Sequence, residues 1–553
     1  MIPGLKPEHL LIAPLLIPLI AGALMLFYDD RRRWMKAGLG TASVIALLAV
    51  SWELIRQAGD DATLRVYLLG NWPVPMGIVL VLDRLSALMV MLTALLALPA
   101  LIFSMAGWQG KGQHFHSLFQ FMLFGMNGAF MTGDLFNLFV FFEVMLAASY
   151  GLVLHGSGAE RIKAGLHYIA INLTASLLFL IGVALIYGVT GTLNMAQLAQ
   201  LAGRLSDGQM PLFHAGAACL GLAFLIKAGI WPMGFWLPRV YSTAAAPVAA
   251  MLALMSKVGV YAVLRMALLC FGPEGADPGF GGPLLLAAGL ITMIYGGFGV
   301  LSGPIAQRVA HVALISSGTL IAMIGVALLG GGPRMLGGAL YYLAGSTLAV
   351  SAMLLIADVV NRQPEKKPED DPDDQDEDPL EALRWGPMGL GAVEDDDAPV
   401  TAMPGSLMTM AALFATLTAV LAGLPPFSGF IGKFAMISGV FSTAGTDSGL
   451  PPVAVLFIVT LIGTGFAVLL SFMQFGISRF WVQEDHPRVL ALEIVPVTIL
   501  VAVLVLLAFR AEPAMRMTLR AADGLLEGRY SQTVMSVRPV DPAPAPDTGD
   551  AAP

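Results

Sequence analysis

Apolar stretches of about 20 residues recur along this chain, each ended by a short polar or charged loop, a length that matches helices crossing a bilayer. The pattern predicts fourteen spans, near 10–27, 36–56, 80–104, 115–132, 135–155, 164–188, 213–238, 243–270, 283–303, 306–330, 335–359, 406–440, 452–478 and 489–510. The fold class expected is an all-α polytopic membrane protein. Two spans carry interruptions. One holds Lys227-Ala228-Gly229-Ile230-Trp231-Pro232 and then Trp236-Leu237-Pro238. The other holds Gly423-Leu424-Pro425-Pro426-Phe427-Ser428-Gly429. Proline inside a span leaves carbonyls without their helical donor, so both read as broken helices.

The breaks lie five spans apart, and an odd offset turns the second copy over. Two inverted five-helix repeats therefore follow, spans 4–8 and 9–13. The domains expected are 1–110 (spans 1–3), 111–272 (first repeat), 273–480 (second repeat), 481–512 (span 14) and 513–553 (a polar tail). Residues 361–404 contain Glu369-Asp370-Asp371-Pro372-Asp373-Asp374 and Glu394-Asp395-Asp396-Asp397, a like-charged run that cannot bury a core and reads as a disordered cytoplasmic loop. The Pro-Ala repeat after Pro539 reads the same way.

Composition agrees with the pattern. Of 553 residues, 57% are hydrophobic and 12% charged, half the charged share of about 25% in soluble domains. The net charge of −8 comes largely from the acidic loop and does not point to nucleic acid. Cys219 and Cys270 sit in apolar surroundings and read as inert thiols. The first span lacks a basic leader and a cleavage site and is read as retained. With the N-terminus outside, Arg31, Arg32, Arg33, Lys36, Lys111, Arg161, Lys163, Arg239, Arg308, Arg362 and Arg479 all fall on the cytoplasmic side.

Against this background the ionisable residues inside spans stand out. Glu143 lies within Phe139-Val140-Phe141-Phe142-Glu143-Val144-Met145, where a carboxylate costs several kcal/mol. Lys227 and Lys257 lie in equally apolar surroundings, too far from helix ends for their amines to snorkel easily. A buried acid with buried amines is the pattern of a proton path. Lys433 follows the second break, and His167 and His311 begin their spans as weaker relay candidates, since a lone histidine is more often structural. Asp134 heads the span of Glu143 and reads as a helix cap. There is no Walker A motif, no Rossmann glycine pattern, no iron–sulfur cysteine cluster and no c-type haem site. No cofactor or metal is expected, so the chain must draw on an ion gradient or a partner.

At these residues a family resemblance emerges. Thr132-Gly133-Asp134-Leu135-Phe136-Asn137, running on through Glu143 to Tyr150, resembles the D subunit of the multisubunit (Mrp-type) Na+/H+ antiporters. So do Lys227 to Pro232 with its flanking Tyr241, and Ser256-Lys257-Val258-Gly259-Val260-Tyr261 with Arg265. The Gly423–Phe430 segment with Lys433 is shared with the antiporter-like membrane subunits of complex I. The resemblance covers most of residues 5–510. It implies a fourteen-helix protein in a hetero-oligomeric complex of the bacterial cytoplasmic membrane, with other membrane subunits, the lipid bilayer, H+ and Na+ as partners. It also implies proton-path roles for Glu143, Lys227, Lys257 and Lys433. One departure is visible. Residues 340–348 hold no histidine or lysine where relatives usually carry one, so the second half-channel is expected to be incomplete or water-mediated. The residues leave two other readings open: a proton-pumping subunit of a respiratory NADH–quinone or hydrogenase complex, and a scaffold with a dead channel.

Overall fold

The structure is a computed structural model and describes residues 7–59, 64–362, 405–443, 452–482 and 489–539. The acidic run and the Pro-Ala tail lie outside the described residues. The chain is helical nearly throughout. Helices α1 (Ala13–Leu26) and α2 (Arg33–Gly59) form a first antiparallel pair, preceded by a 3-10 turn. Strands β1 (Arg65–Leu68) and β2 (Val79–Leu82) then pair antiparallel, Arg65 opposite Leu82 and Leu68 opposite Val79. Helices α3 (Arg84–Ser104), α4 (Phe115–Met131), α5 (Leu135–Val153) and α6 (Ala159–Thr190) follow, then a short α7 (Met195–Ala202). The first break separates α8 (Met210–Ala228) from α9 (Trp236–Thr243). Next come α10 (Ala246–Phe271), α11 (Gly282–Val300), α12 (Ile305–Leu328) and α13 (Pro333–Val360). The second break separates α14 (Gly405–Ala422) from α15 (Ser428–Thr443), and α16 (Pro452–Ile477) and α17 (Ala491–Phe509) complete the spans. Two further helices, α18 (Ala511–Leu526) and α19 (Arg529–Ser536), close the described chain.

Among the described residues thirteen helices are long and apolar enough to cross a membrane, counting α8 with α9 as one. Helix α4, at 17 residues, is the fourteenth span that the hydropathy pattern predicts. Two expectations need correction. Span 3 begins at Arg84, not near 80, because Val79-Leu80-Val81-Leu82 forms β2 and Asp83 is the N-cap. The Asp83 carboxylate accepts from the Ser86 amide at 2.7 Å while the Ser86 hydroxyl accepts from the Asp83 amide at 2.9 Å, a reciprocal cap that fixes where the helix starts. The supposed polar tail is not all tail, since α18 and α19 are amphipathic helices packed on the protein, α18 against α13 and α19 against α7.

Both breaks follow from local chemistry. Helix α8 stops at Gly229, which takes the left-handed conformation (φ +77°) that L side chains avoid, and Pro232 prevents resumption before Trp236. The loosened carbonyls find other donors: Leu225 O accepts from the Ile230 amide at 3.0 Å and Ile226 O from the Trp236 indole at 3.3 Å. Helix α14 ends the same way at Gly423 (φ +85°), ahead of Pro425 and Pro426.

Helix α10 is buried along its whole length and packs against α3, α8, α12 and α13, making it the axis of the bundle. Its contact with α8 is backbone to backbone, for a Cβ on Gly259 would lie 2.7 Å from the Ala228 amide nitrogen. Such close approach by small residues is how helices pack without a hydrophobic driving force in lipid.

The basic loop residues gather on one face. Lys36 pairs with Asp30 at 2.5 Å, Arg161 stacks over Trp108, the Trp108 indole donates to Asp358 at 3.3 Å, and Arg362 pairs with Asp358 at 2.8 Å. The hairpin, α7, α18 and α19 lie together on the other face. There Gly133 donates to Val79 O at 3.0 Å and Met195 to Gly133 O at 2.9 Å.

Candidate functional site

Glu143 sits mid-helix on α5, half-buried, and its carboxylate accepts a hydrogen bond from the Ser176 hydroxyl of α6. Ser176 in turn accepts from the Lys227 ammonium at 3.3 Å. Lys227 occupies the last turn of α8, immediately before the first break, and is 5% exposed. Its ammonium also lies over the Phe142 ring at 5.1 Å, where the ring face attracts a cation. A carboxylate, a hydroxyl and an amine from three helices thus form one continuous hydrogen-bonded line. The Tyr150 hydroxyl, two turns along α5 from Glu143, is buried without a partner among the described residues.

Lys257 lies on α10, 1% exposed, within one turn of the Gly259 contact with α8. Its ammonium donates to the Ser317 hydroxyl of α12 at 2.8 Å and reaches Ala313 O at 3.5 Å. Lys433, on α15 beyond the second break, donates to Ala422 O at 2.9 Å and Leu421 O at 3.4 Å. These are terminal carbonyls of α14, the negative end of a helix dipole, so the break itself makes the seat for the amine. Amines therefore sit inside α8, α10 and α15, those of Lys227 and Lys257 buried and that of Lys433 half-buried.

The histidines fare differently. His311 is buried on α12, its Nδ1 facing Gln307 O at 2.8 Å and its ring 5.9 Å from that of Tyr295. It lies on the Arg308 side of Ser317. His167 points outward from α6, exposed on this chain, with Nδ1 facing Lys163 O at 2.7 Å. One residue's difference is about 100° on a helix, and the inward position belongs to Tyr168, which bonds Ser149 at 2.8 Å. Asp134 is the N-cap of α5 that its position suggested, accepting from the Asn137 amide at 2.8 Å.

Sequence reasoning missed the serines. Ser176, Ser316, Ser317 and Ser346 look like ordinary small residues at helix interfaces, and only the doubled serine at 316–317 in an apolar run hints at more. It also placed Asp83 inside the third predicted span with no partner assigned. Asp83 instead forms a two-pronged ion pair with Arg265 of α10, and Arg265 further bonds the Tyr261 hydroxyl at 3.1 Å and lies 5.0 Å from the Tyr530 ring of α19. An arginine in a buried helix is the missed signal, since such a charge demands a partner. Among the described residues no three His, Cys, Asp or Glu side chains gather closely enough to hold a metal.

Comparison with known proteins now bears on the line of buried charges. Residues 132–362, which carry Glu143, Lys227 and Lys257, match the family described as NADH:quinone oxidoreductase/Mrp antiporter, TM. The chain is 45% identical over 540 residues to the D subunit of a probable K(+)/H(+) antiporter of Rhizobium meliloti, covering 96% of this chain and 98% of the relative. The chain belongs to the family of antiporter D subunits. The D subunit of an Na(+)/H(+) antiporter of Alkalihalophilus pseudofirmus is 33% identical over 94% of this chain and 98% of its own length. Among solved structures, the fold is similar to a chain of the Mrp complex from Dietzia sp. DQ12-45-1b, with TM-score 0.79 and 24% identity over 96% of this chain and 100% of that one. It is also similar to a chain of respiratory complex I from Thermus thermophilus, with TM-score 0.70 and 23% identity over 94% of this chain and 99% of that one. A member of this family is a multi-pass membrane component of a multisubunit cation/proton antiporter, a transporter part rather than an enzyme, and other membrane subunits are its partners. The respiratory alternative is not favoured.

Proposed function

We propose that this subunit carries protons through the membrane along Glu143, Ser176, Lys227, Lys257 and Lys433, and that partner subunits couple the flux to export of a monovalent cation. The observation that carries the reading is the unbroken hydrogen-bonded line Glu143–Ser176–Lys227 at bilayer depth, where charged groups persist chiefly when transport needs them. Lys257 and Lys433 continue it into the second half of the bundle, and His311 stands at its basic-face entrance. His167 has no part. The basic face is cytoplasmic by the positive-inside rule, and the membrane is the bacterial cytoplasmic membrane. Residues 111–272 and 273–480 act as two inverted repeats, each with its own broken helix, flanked by 1–110, 481–512 and the segment from 513. The two D-subunit relatives differ in cation, one K+ and one Na+, so both ions belong in the assay.

The test is Glu143→Gln in everted vesicles holding the assembled complex. Gln keeps the volume and the hydrogen bond from Ser176 but cannot take up a proton. Antiport with either cation is expected to fall to background while the complex assembles normally. Antiport at the normal rate would overturn the reading.

A further inference from the structure

Between Lys257 on α10 and Lys433 on α15 stands α13, with no histidine or lysine in residues 340–348. What it presents there instead is hydroxyl groups. The Ser346 hydroxyl lies 2.9 Å from that of Ser316 on α12, and both are buried. Tyr342, one turn before Ser346, packs its phenol among Ser316, Thr319 and Ser346. Ser316 adjoins Ser317, whose hydroxyl takes the hydrogen bond from Lys257. Neighbouring positions of α12 thus offer one hydroxyl to Lys257 and the next to α13.

On the Lys433 side lies a small, partly open cavity of about 10 Å³, where Tyr342, Ser346, Lys433, Thr464 and Gly465 line a wall otherwise formed by Val312, Ile315, Val420, Leu421, Gly429 and Val468. That is about the volume a single water needs, and its walls supply the polar partners a buried water requires. Gly465 keeps the space open, since a Cβ there would stand 2.9 Å from the Lys433 nitrogen. A second observation points the same way. The Ser428 hydroxyl, at the head of α15, is 1% exposed and has no hydrogen-bond partner among the described residues. It lies beside Gly345, the neighbour of Ser346, 3.3 Å from where a Cβ would be. A buried hydroxyl without a protein partner is costly, and a hydrogen bond to water removes that cost.

Resting on the proton path proposed above, we infer that Ser317 takes the proton from Lys257 and passes it through a bridging water to the Ser316–Ser346 pair and Tyr342, and that a water in the cavity hands it to Lys433, in place of an ionisable side chain. At each step an oxygen gains one proton and releases its own to the next oxygen, so one O–H bond forms as another breaks and no hydroxyl is left charged. The Lys257 ammonium ends as a neutral amine and a neutral Lys433 amine ends as an ammonium. The hydroxyls then rotate back before the next passage. A relay of this kind moves protons but stores none, so the two lysines remain the charge-holding stations of the second half.

The experiment measures antiport in everted vesicles, normalised to assembled complex, for Ser316→Ala, Ser346→Ala, Ser346→Thr and Glu143→Gln. Losing a group that hands on a proton is expected to slow maximal antiport in S316A and S346A on the order of a hundredfold, with half-saturating cation concentration unchanged. S346T keeps a hydroxyl in place and is expected to retain most of the rate. Normal turnover in S346A overturns the relay, and so does equal loss in S346A and S346T, which would mark Ser346 as a packing residue. An inactive E143Q beside a normal S346A removes the relay alone and leaves the Glu143–Lys227 path standing. An active E143Q removes the path itself.

Discussion

Ser176 is a small residue between two charged ones, donating to Glu143 and accepting from Lys227. With the hydroxyl gone, the acid and amine lose a group that hydrogen-bonds both. Ser176→Ala is therefore expected to lower antiport by about tenfold or more, with Ser176→Thr close to normal. Equal activity in the alanine and threonine variants, read in the same vesicle assay, would contradict the bridging role. The charged ends of this line were legible because carboxylates and amines inside apolar runs are conspicuous. The serine was not, since a serine in a leucine-rich helix has the same appearance whether it packs, caps a carbonyl or hands on a proton. Arg265 and Asp83 make a contrasting pair. They lie 182 positions apart in the chain, and nothing local says that the arginine of α10 closes on the N-cap of α3. Breaking a buried pair strands a charge, at a cost of about 3–5 kcal/mol. Asp83→Asn is expected to lower the thermal unfolding temperature of the purified complex markedly, and an unchanged temperature would show the pair to be dispensable.

At the scale of elements, the fourteen spans and both breaks were legible because each rests on a local cause: a run of apolar length, or a glycine followed by proline. The β1–β2 hairpin was not, because Val79-Leu80-Val81-Leu82 continues into the apolar run of α3 and hydropathy cannot distinguish strand from helix over so few residues. His167 illustrates a related limit, for membership of a span is plain from the sequence whereas the face it occupies depends on packing. The closeness of α8 and α10 could not be foreseen either, and it depends on Gly259, whose Cβ position is already filled by the backbone of Phe224 and Ala228. Gly259→Val is expected to force those helices apart at a cost of about 1–3 kcal/mol and to reduce assembled complex together with antiport. Normal assembly of G259V, judged by copurification of partner subunits, would show that the two helices have room to spare.

For the whole molecule, the structure is two-faced. One face gathers the basic loops and the Lys36–Asp30 and Arg362–Asp358 pairs, and the other is closed by the hairpin, α7, α18 and α19. The closing helices matter because α18 packs Leu519 backbone onto Gly337 of α13 while Tyr530 covers Arg265. Truncation after Phe509 is expected to leave the spans inserted but to make the hairpin loop quickly cleavable by protease in intact vesicles of matching orientation, and unchanged cleavage would contradict the closing role. Between the two faces run the buried acid and amines of the proposed proton path. The most direct test of that line is infrared difference spectroscopy of the reconstituted complex on adding the exported cation. A carboxylic-acid carbonyl band that changes in the wild type and is missing from E143Q is the predicted result. The same band change in both proteins, or none in an actively transporting wild type, would mean that Glu143 never exchanges a proton during transport.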